Sequence, residues 1–190
     1  MFQGRIVYRF LVGVARCVAP ILGTGTGKIA RGFKGRLVAH EVLAKWGKEK
    51  RDPHRATVWV HAPSVGESIQ ACAVIEALRA RIPRVQVVFT HFSPSAVEFS
   101  GRMPVEVSSY LPWDLIGTTG SVLDAVQPDL LIFSKTEVWP VLVSEAQKRS
   151  IPVALVGGSV PSNAGRLRQP TRSFMRATWQ GLTLACAIAD

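Results

Sequence analysis

Two carboxylates stand where a strand-like run hands over to a helix-like one. Glu67 closes TVWVHAPSVGE (57–67), and Glu137 lies in FSKTEVWP (133–140). A carboxylate held at the end of a strand can take a proton from an attacking hydroxyl, which makes Glu67 a candidate general base. Gly66 beside it lets a substrate approach the backbone closely, and free amides at a helix start can hold an anionic group. Ser64-Val65-Gly66-Glu67 also fits the S-x-x-E capping box, with Ser64 capping the helix and Glu67 reaching back to its amide. Spacing alone favours that cap. Glu137 is read either as a solvated carboxylate in a helix's first turn or as an orienting group near Lys135. His91, in THFSP (90–94) with Ser93, either touches a phosphate or packs, and packing is the commoner fate. The catalytic candidates are therefore Glu67 and Glu137. The substrate-binding candidates are Ser64, Gly66, His91, Ser93 and Lys135.

Metal chemistry is not expected. The four histidines show no HxxxH or HExxH pattern, and Cys17, Cys72 and Cys186 are far apart with no CxxC spacing. The cysteines read as reduced core thiols of a cytosolic compartment. GTGTGK (23–28) fails as a phosphate loop: Leu22 stands where the first glycine is needed and Ile29 where a Ser or Thr is needed. It reads instead as a flexible hinge.

The elements that must position these groups alternate regularly from residue 57. Strands are expected at 57–61, 85–90, 105–108, 129–134, 153–156 and 182–188. Helices are expected at 67–82, 93–102, 115–126, 138–149 and 171–180, with Ser93 as an N-cap and Pro94 in the first turn of the second. Apolar strands without alternation imply a sheet covered on both faces, and the strand–helix rhythm implies a Rossmann-like, doubly wound parallel sheet. Ligands in such a sheet bind beyond the carboxyl ends of the strands, so the loops to inspect are 61–67, 90–94, 109–114, 134–140 and 157–163. The chain stops just after its last strand, where a doubly wound domain normally adds a covering helix, so a longer arrangement is expected.

Charge divides the chain differently. Residues 1–56 hold 12 Lys or Arg against 3 Asp or Glu; the other 134 residues hold 11 against 10. The expected division is a basic arm and linker at 1–56 and a body at 57–190. Within RIVYRFLVGVARCVAPIL (5–22), helical spacing gathers Arg5, Arg9 and Arg16 on one side, opposite Val7, Phe10, Leu11, Val14, Val18 and Ile21. Such a helix either lies in a membrane interface or packs on its own protein. Lys28, Arg31, Lys34 and Arg36 follow closely and favour the membrane. A short helix is expected at 36–46 and a polar linker at 47–56. Nucleic acid is not expected as a partner, because an apolar face has no role in phosphate contact.

The series WVHAPSVGE (59–67), THFSPSA (90–96), YLPWD (110–114), PDLLIF (128–133), KTEVWP (135–140) and IPVALV (151–156) resembles the 3-deoxy-D-manno-octulosonic acid (Kdo) transferase family, in family order, over about residues 57–190. The resemblance implies the N-terminal, acceptor-side half of a GT-B glycosyltransferase with two Rossmann-like domains. It implies inverting transfer of Kdo from CMP-Kdo to a lipid A precursor, in lipopolysaccharide biosynthesis, on the cytoplasmic face of the inner membrane. Glu67 matches the family's base and Glu137 its second active-site acid, so the weight shifts from cap alone to base. No cofactor or metal is implied beyond CMP-Kdo as donor. The implied partners are the lipid acceptor, CMP-Kdo, the anionic inner-membrane surface and a separate C-terminal donor-binding half. Without that half the chain is expected to be inactive. A non-catalytic, membrane-associated binding domain with the same fold is the alternative.

Overall fold

Each strand sends alternate side chains to opposite faces, and here both faces are covered. The structure, a computed structural model, describes residues 2–135, 137–159 and 171–188, with the side chains of Phe2, Gln3 and Thr171 left aside. Residues 160–163 of the last candidate loop lie outside the described residues. The chain runs α1 (Phe2–Leu22), α2 (Lys28–Glu49), β1 (Thr57–His61), α3 (Val65–Arg81), β2 (Gln86–His91), α4 (Ala96–Ser100), β3 (Val107–Tyr110), α5 (Ile116–Val126), β4 (Leu130–Ser134), α6 (Pro140–Lys148), β5 (Val153–Gly158), α7 (Thr171–Trp179) and β6 (Leu184–Ala187).

The six strands form one sheet in the order β3-β2-β1-β4-β5-β6. Every pairing is parallel, with Trp59 beside Val88 on one side and Leu131 on the other. This is the doubly wound parallel sheet expected from the sequence. Trp59, Val88, Leu131 and Phe133 point to one core with Leu43 and Trp46 of α2, α5 and α6. Val58, Val60, Phe89 and Ile132 point to the other, against Ala71 and Ile75 of α3. Period-two alternation is thus present in strands that read as unbroken apolar runs. At β6 all four residues are exposed.

Two helices and the cysteines depart from expectation. Helix α2 begins at Lys28, not residue 36, and absorbs the start of the supposed linker. Gly32, Gly35 and Gly47 lower helix propensity there, but packing overrides it: a Cβ at Gly35 would stand 2.1 Å from the Tyr110 ring, and one at Gly47 2.4 Å from the Ala125 carbonyl oxygen. Only glycine lets α2 approach the body this closely. Although charge places it in the arm, α2 packs as part of the body, and Leu43 and Trp46 join the main core. Helix α4 is only five residues, Ala96–Ser100, preceded by a turn in which the Ser93 hydroxyl lies 2.9 Å from the Ser95 hydroxyl and accepts the Ser95 amide at 3.4 Å. Finally, Cys17 and Cys186 are exposed and Cys72 is half-buried, so none is a fully buried core thiol.

Candidate active site

In a sheet of this order the winding reverses between β1 and β4, and ligands bind in the crevice beyond the carboxyl ends of those strands. Glu67 follows β1 and Glu137 follows β4. Both line one cleft of about 680 Å3, together with Tyr8, Lys135, Trp139 and Phe174.

Glu67 sits in the first turn of α3. The Ser64 hydroxyl makes no backbone cap bond and donates to the Glu67 carboxylate instead. The capping box expected from spacing therefore becomes a side-chain pair, and Ser64 acts on the carboxylate. Lys135 donates from Nζ to Glu67 Oε1 at 3.0 Å. Its ammonium thus reaches Glu67, and Glu137, read from sequence as an orienting group near Lys135, lines the same cleft. The Ser134 hydroxyl donates to the Glu67 carbonyl at 3.3 Å, tying the two loops together. Lys135 holds φ at 68°, in the left-handed region that costs a non-glycine residue about 1–3 kcal/mol. Its amide nevertheless keeps a 2.8 Å bond to the Val156 carbonyl. Burial pushes the Glu67 carboxyl up, but the hydrogen bonds from Ser64 and Lys135 outweigh it, and the net shift is downward. Glu67 is an ionised carboxylate at neutral pH. Gly66 is exposed with open space around it, which leaves room for a ligand along that backbone.

The remaining candidates divide. His91 is 2% exposed and packs edge-on against Tyr110 at 4.4 Å. Burial pushes its pKa down to about 4, partly opposed by a bond to the Ser93 backbone, so it is neutral at pH 7. It packs against Tyr110 as a neutral imidazole. Ser93 lines a different groove, beside Lys28 and Phe92.

Several residues that hold the site were not singled out by sequence. Trp139 lines the cleft, and its indole N–H donates to His61 Nε2 at 3.1 Å. An indole only donates, so Nε2 accepts, and the proton on Nδ1 points to Thr90 Oγ1 at 3.0 Å. His61 is fully buried, and burial first, then Arg36 and His91, push its pKa down to about 3. It is a fixed neutral acceptor that orients Trp139. The Arg36 guanidinium lies over the rings of Phe92 (4.2 Å), Trp113 (4.8 Å) and Trp139 (5.3 Å). Burial lowers its pKa to about 10, against the pull of Tyr8, Asp114 and Glu137, and it stays cationic.

Asp114, 2% exposed, caps α6 from a distance. Its two oxygens accept the amides of Val141 (2.9 Å) and Leu142 (2.8 Å), and the Tyr8 hydroxyl donates to the same carboxylate at 2.8 Å. Burial pushes Asp114 up to about 6, opposed by those three bonds and by Arg36. In sequence the carboxylate of YLPWD precedes α5, whereas the helix it caps is α6, so its position does not mark this role. Nothing local in RIVYRF marks Tyr8 as its partner 106 residues away.

Residues 36–190 match the 3-deoxy-D-manno-octulosonic-acid transferase (kdotransferase) family. The chain belongs to this family. A 3-deoxy-D-manno-octulosonic acid transferase from Bordetella pertussis is 31% identical over 197 residues, which span 98% of this chain and 42% of that protein. One from Haemophilus influenzae is 27% identical over 135 residues, 68% of this chain and 31% of that protein. The chain thus spans less than half the length of either kdotransferase. Among solved structures, a putative UDP-N-acetylglucosamine 2-epimerase from Listeria monocytogenes superposes with a TM-score of 0.53 at 10% identity, over 69% of this chain and 39% of that one. A second UDP-N-acetylglucosamine 2-epimerase gives 0.52 at 11% identity, over 70% and 42%. These likenesses show the fold that this kdotransferase-family chain shares with them.

Proposed function

We propose that the chain is the acceptor-side half of an inverting glycosyltransferase that moves Kdo from CMP-Kdo to a lipid A precursor. The observation that carries this reading is the Glu67 carboxylate, ionised and facing an open cleft at the switch point of the sheet. An acceptor hydroxyl enters beside Glu67, which takes its proton as the hydroxyl oxygen bonds to the anomeric carbon of Kdo. The bond from that carbon to the phosphate oxygen breaks, and CMP leaves with the electron pair. Attack opposite the leaving group inverts the centre. Lys135, whose side chain is 43% exposed, stands beside the base as a cation for the phosphate. Glu137, on the facing loop, helps orient the acceptor.

Donor contacts come from a second Rossmann-like half, supplied by another segment or another chain. Without it, turnover is slow or absent. The exposed apolar side of α1, with Phe10 at 68%, Leu11 at 60% and Ile21 at 73%, supports an in-plane seat on the cytoplasmic face of the inner membrane. Among the described residues no helix is long and apolar enough to cross a membrane.

In the protein joined with its donor-binding half, Glu67→Gln is expected to lower Kdo transfer from CMP-Kdo at least about 100-fold, the scale of a lost general base, while thermal melting shows an intact fold. Turnover equal to the parent's overturns the base assignment. Transfer lost together with the fold returns Glu67 to a structural role.

A further inference from the structure

A second cavity, of about 250 Å3, opens between the first turns of α2 and the loop after β2. Ile29, Gly32, Phe33, Phe92 and Pro94 give it an apolar lining, and Lys28 adds an exposed cation. Drug-sized ligands occupy about 300–1,000 Å3, so this groove suits one segment of a ligand rather than a whole one. Its wall is shared. Phe92, on the groove side, stacks on Trp139, on the cleft side, at 5.4 Å and 24°, and the Arg36 guanidinium lies over both rings. The groove and the Glu67 cleft are thus separated by a single aromatic pair. Ile29, on the groove lining, is 74% exposed; Ile21 and Leu22, at 73% and 45%, are exposed just across the α1–α2 turn. An apolar slot beside a cation, with the exposed Ile29 on its lining, matches a hydrocarbon chain on an anionic head.

We propose that this groove holds an acyl chain of the same phosphate-bearing amphiphile whose hydroxyl enters the Glu67 cleft, with Lys28 meeting its anionic group. The proposal rests on the acceptor-side reading for the identity of its occupant. Arg36 is a positioning residue here, because it braces the shared wall. Its Nε also donates to the Leu111 carbonyl, at 3.2 Å. Gly32 is what keeps the slot open. A Cβ there would meet Pro94 Cγ at 3.7 Å, an ordinary contact, and anything longer would fill the groove.

The test is a calorimetric titration of the full chain with dihexanoyl phosphatidic acid, kept below its micelle concentration. The parent is expected to bind it and to bind dihexanoyl glycerol, which lacks the phosphate, about tenfold more weakly. Gly32→Leu is expected to weaken binding of the phosphatidic acid by at least about tenfold, while Gly32→Ala, which leaves the slot open, retains it. Lys28→Glu, at an exposed position outside the core, tests the charge even where Gly32→Leu perturbs folding; it should cost about tenfold for the phosphatidic acid and nothing for the glycerol. Equal binding by the parent, Gly32→Leu and Lys28→Glu overturns the proposal. So does binding lost in Phe10→Glu/Leu11→Glu, which places the probe on α1. A dimer in sedimentation that Gly32→Leu breaks assigns the groove to a second copy and overturns it as well. Probe binding is measured on the parent and on the Gly32 and Lys28 variants, and Kdo transfer on Glu67→Gln, so failure of the groove and failure of the base are read in separate experiments.

Discussion

Helices α1 and α2 are nearly equal in length, 21 and 22 residues, and both are rich in basic residues, yet they are bound to the body in opposite ways. Helix α2 sends Leu43 and Trp46 into the main core and closes on the body through Gly35 and Gly47. Helix α1 buries the small residue Ala19 completely and leaves Phe10, Leu11 and Ile21 facing out. It is held by polar ties: Tyr8 to Asp114, and Arg16 to Thr118 at 3.2 Å. Net charge marks both helices alike; the direction of their apolar side chains separates them. A helix that buries its large apolar residues is part of the fold. One that displays them keeps that surface for something else.

The largest expected effect lies on α2. Leu43→Ala empties a fully buried position and should cost about 2–5 kcal/mol in chemical unfolding. A cost below about 1 kcal/mol would put α2 with α1 as an appendage. The polar tie comes next. Tyr8→Phe removes a donor to the buried Asp114 carboxylate and should cost about 1–3 kcal/mol at neutral pH. This cost depends on pH. The raised carboxyl of Asp114 means that its own contribution to stability is present below its unfolded pKa and falls as pH rises through about 6. The Tyr8 bond offsets that loss by favouring the ionised form, so the gap between parent and Tyr8→Phe should widen as pH rises through about 6. A gap that narrows over the same window would mean that Tyr8 does not act through the carboxylate. The smallest effect on stability belongs to the exposed face. Phe10→Glu/Leu11→Glu should shift unfolding by no more than about 0.5 kcal/mol while abolishing flotation with anionic phospholipid vesicles. Undiminished flotation would show that this face is not the membrane contact.

Much of the fold is legible in the sequence because its signals are local. Pro83 and Pro94, and the apolar runs VWV (58–60) and LLIF (130–133), mark breaks and strands within a few residues of where they occur. Glu67 and Glu137 can be placed at the ends of β1 and β4 from the same runs. Boundaries set by competition are harder to read. Gly35 falls before the helix start expected at residue 36 and Gly47 in the supposed linker, until the close approach to Tyr110 and Ala125 explains both inside α2. Ser64 and Ser93 both read as helix caps, but the Ser64 hydroxyl pairs with a carboxylate, and the Ser93 hydroxyl is shared between the Ser95 amide and hydroxyl ahead of a helix that begins only at Ala96. Both outcomes have the same cause: a short polar side chain has several partners within reach, and spacing does not choose among them. Tyr8, His61, Arg36 and Trp139 were not legible as site residues, because each acts through a group distant in sequence.

By itself the sequence determined the alternation of strand and helix, the burial of the strands on both faces, and the two carboxylate-bearing loops at strand ends. These follow from side-chain periodicity and backbone preference over a few residues. The tertiary structure alone decided that β1 and β4 are neighbours, so that Lys135 reaches Glu67 from 68 residues away. It also decided that α1 leaves Phe10, Leu11 and Ile21 facing out while α2 buries Leu43 and Trp46. Strand order and the choice of buried face depend on which distant surfaces fit together, and no window of local sequence contains that information.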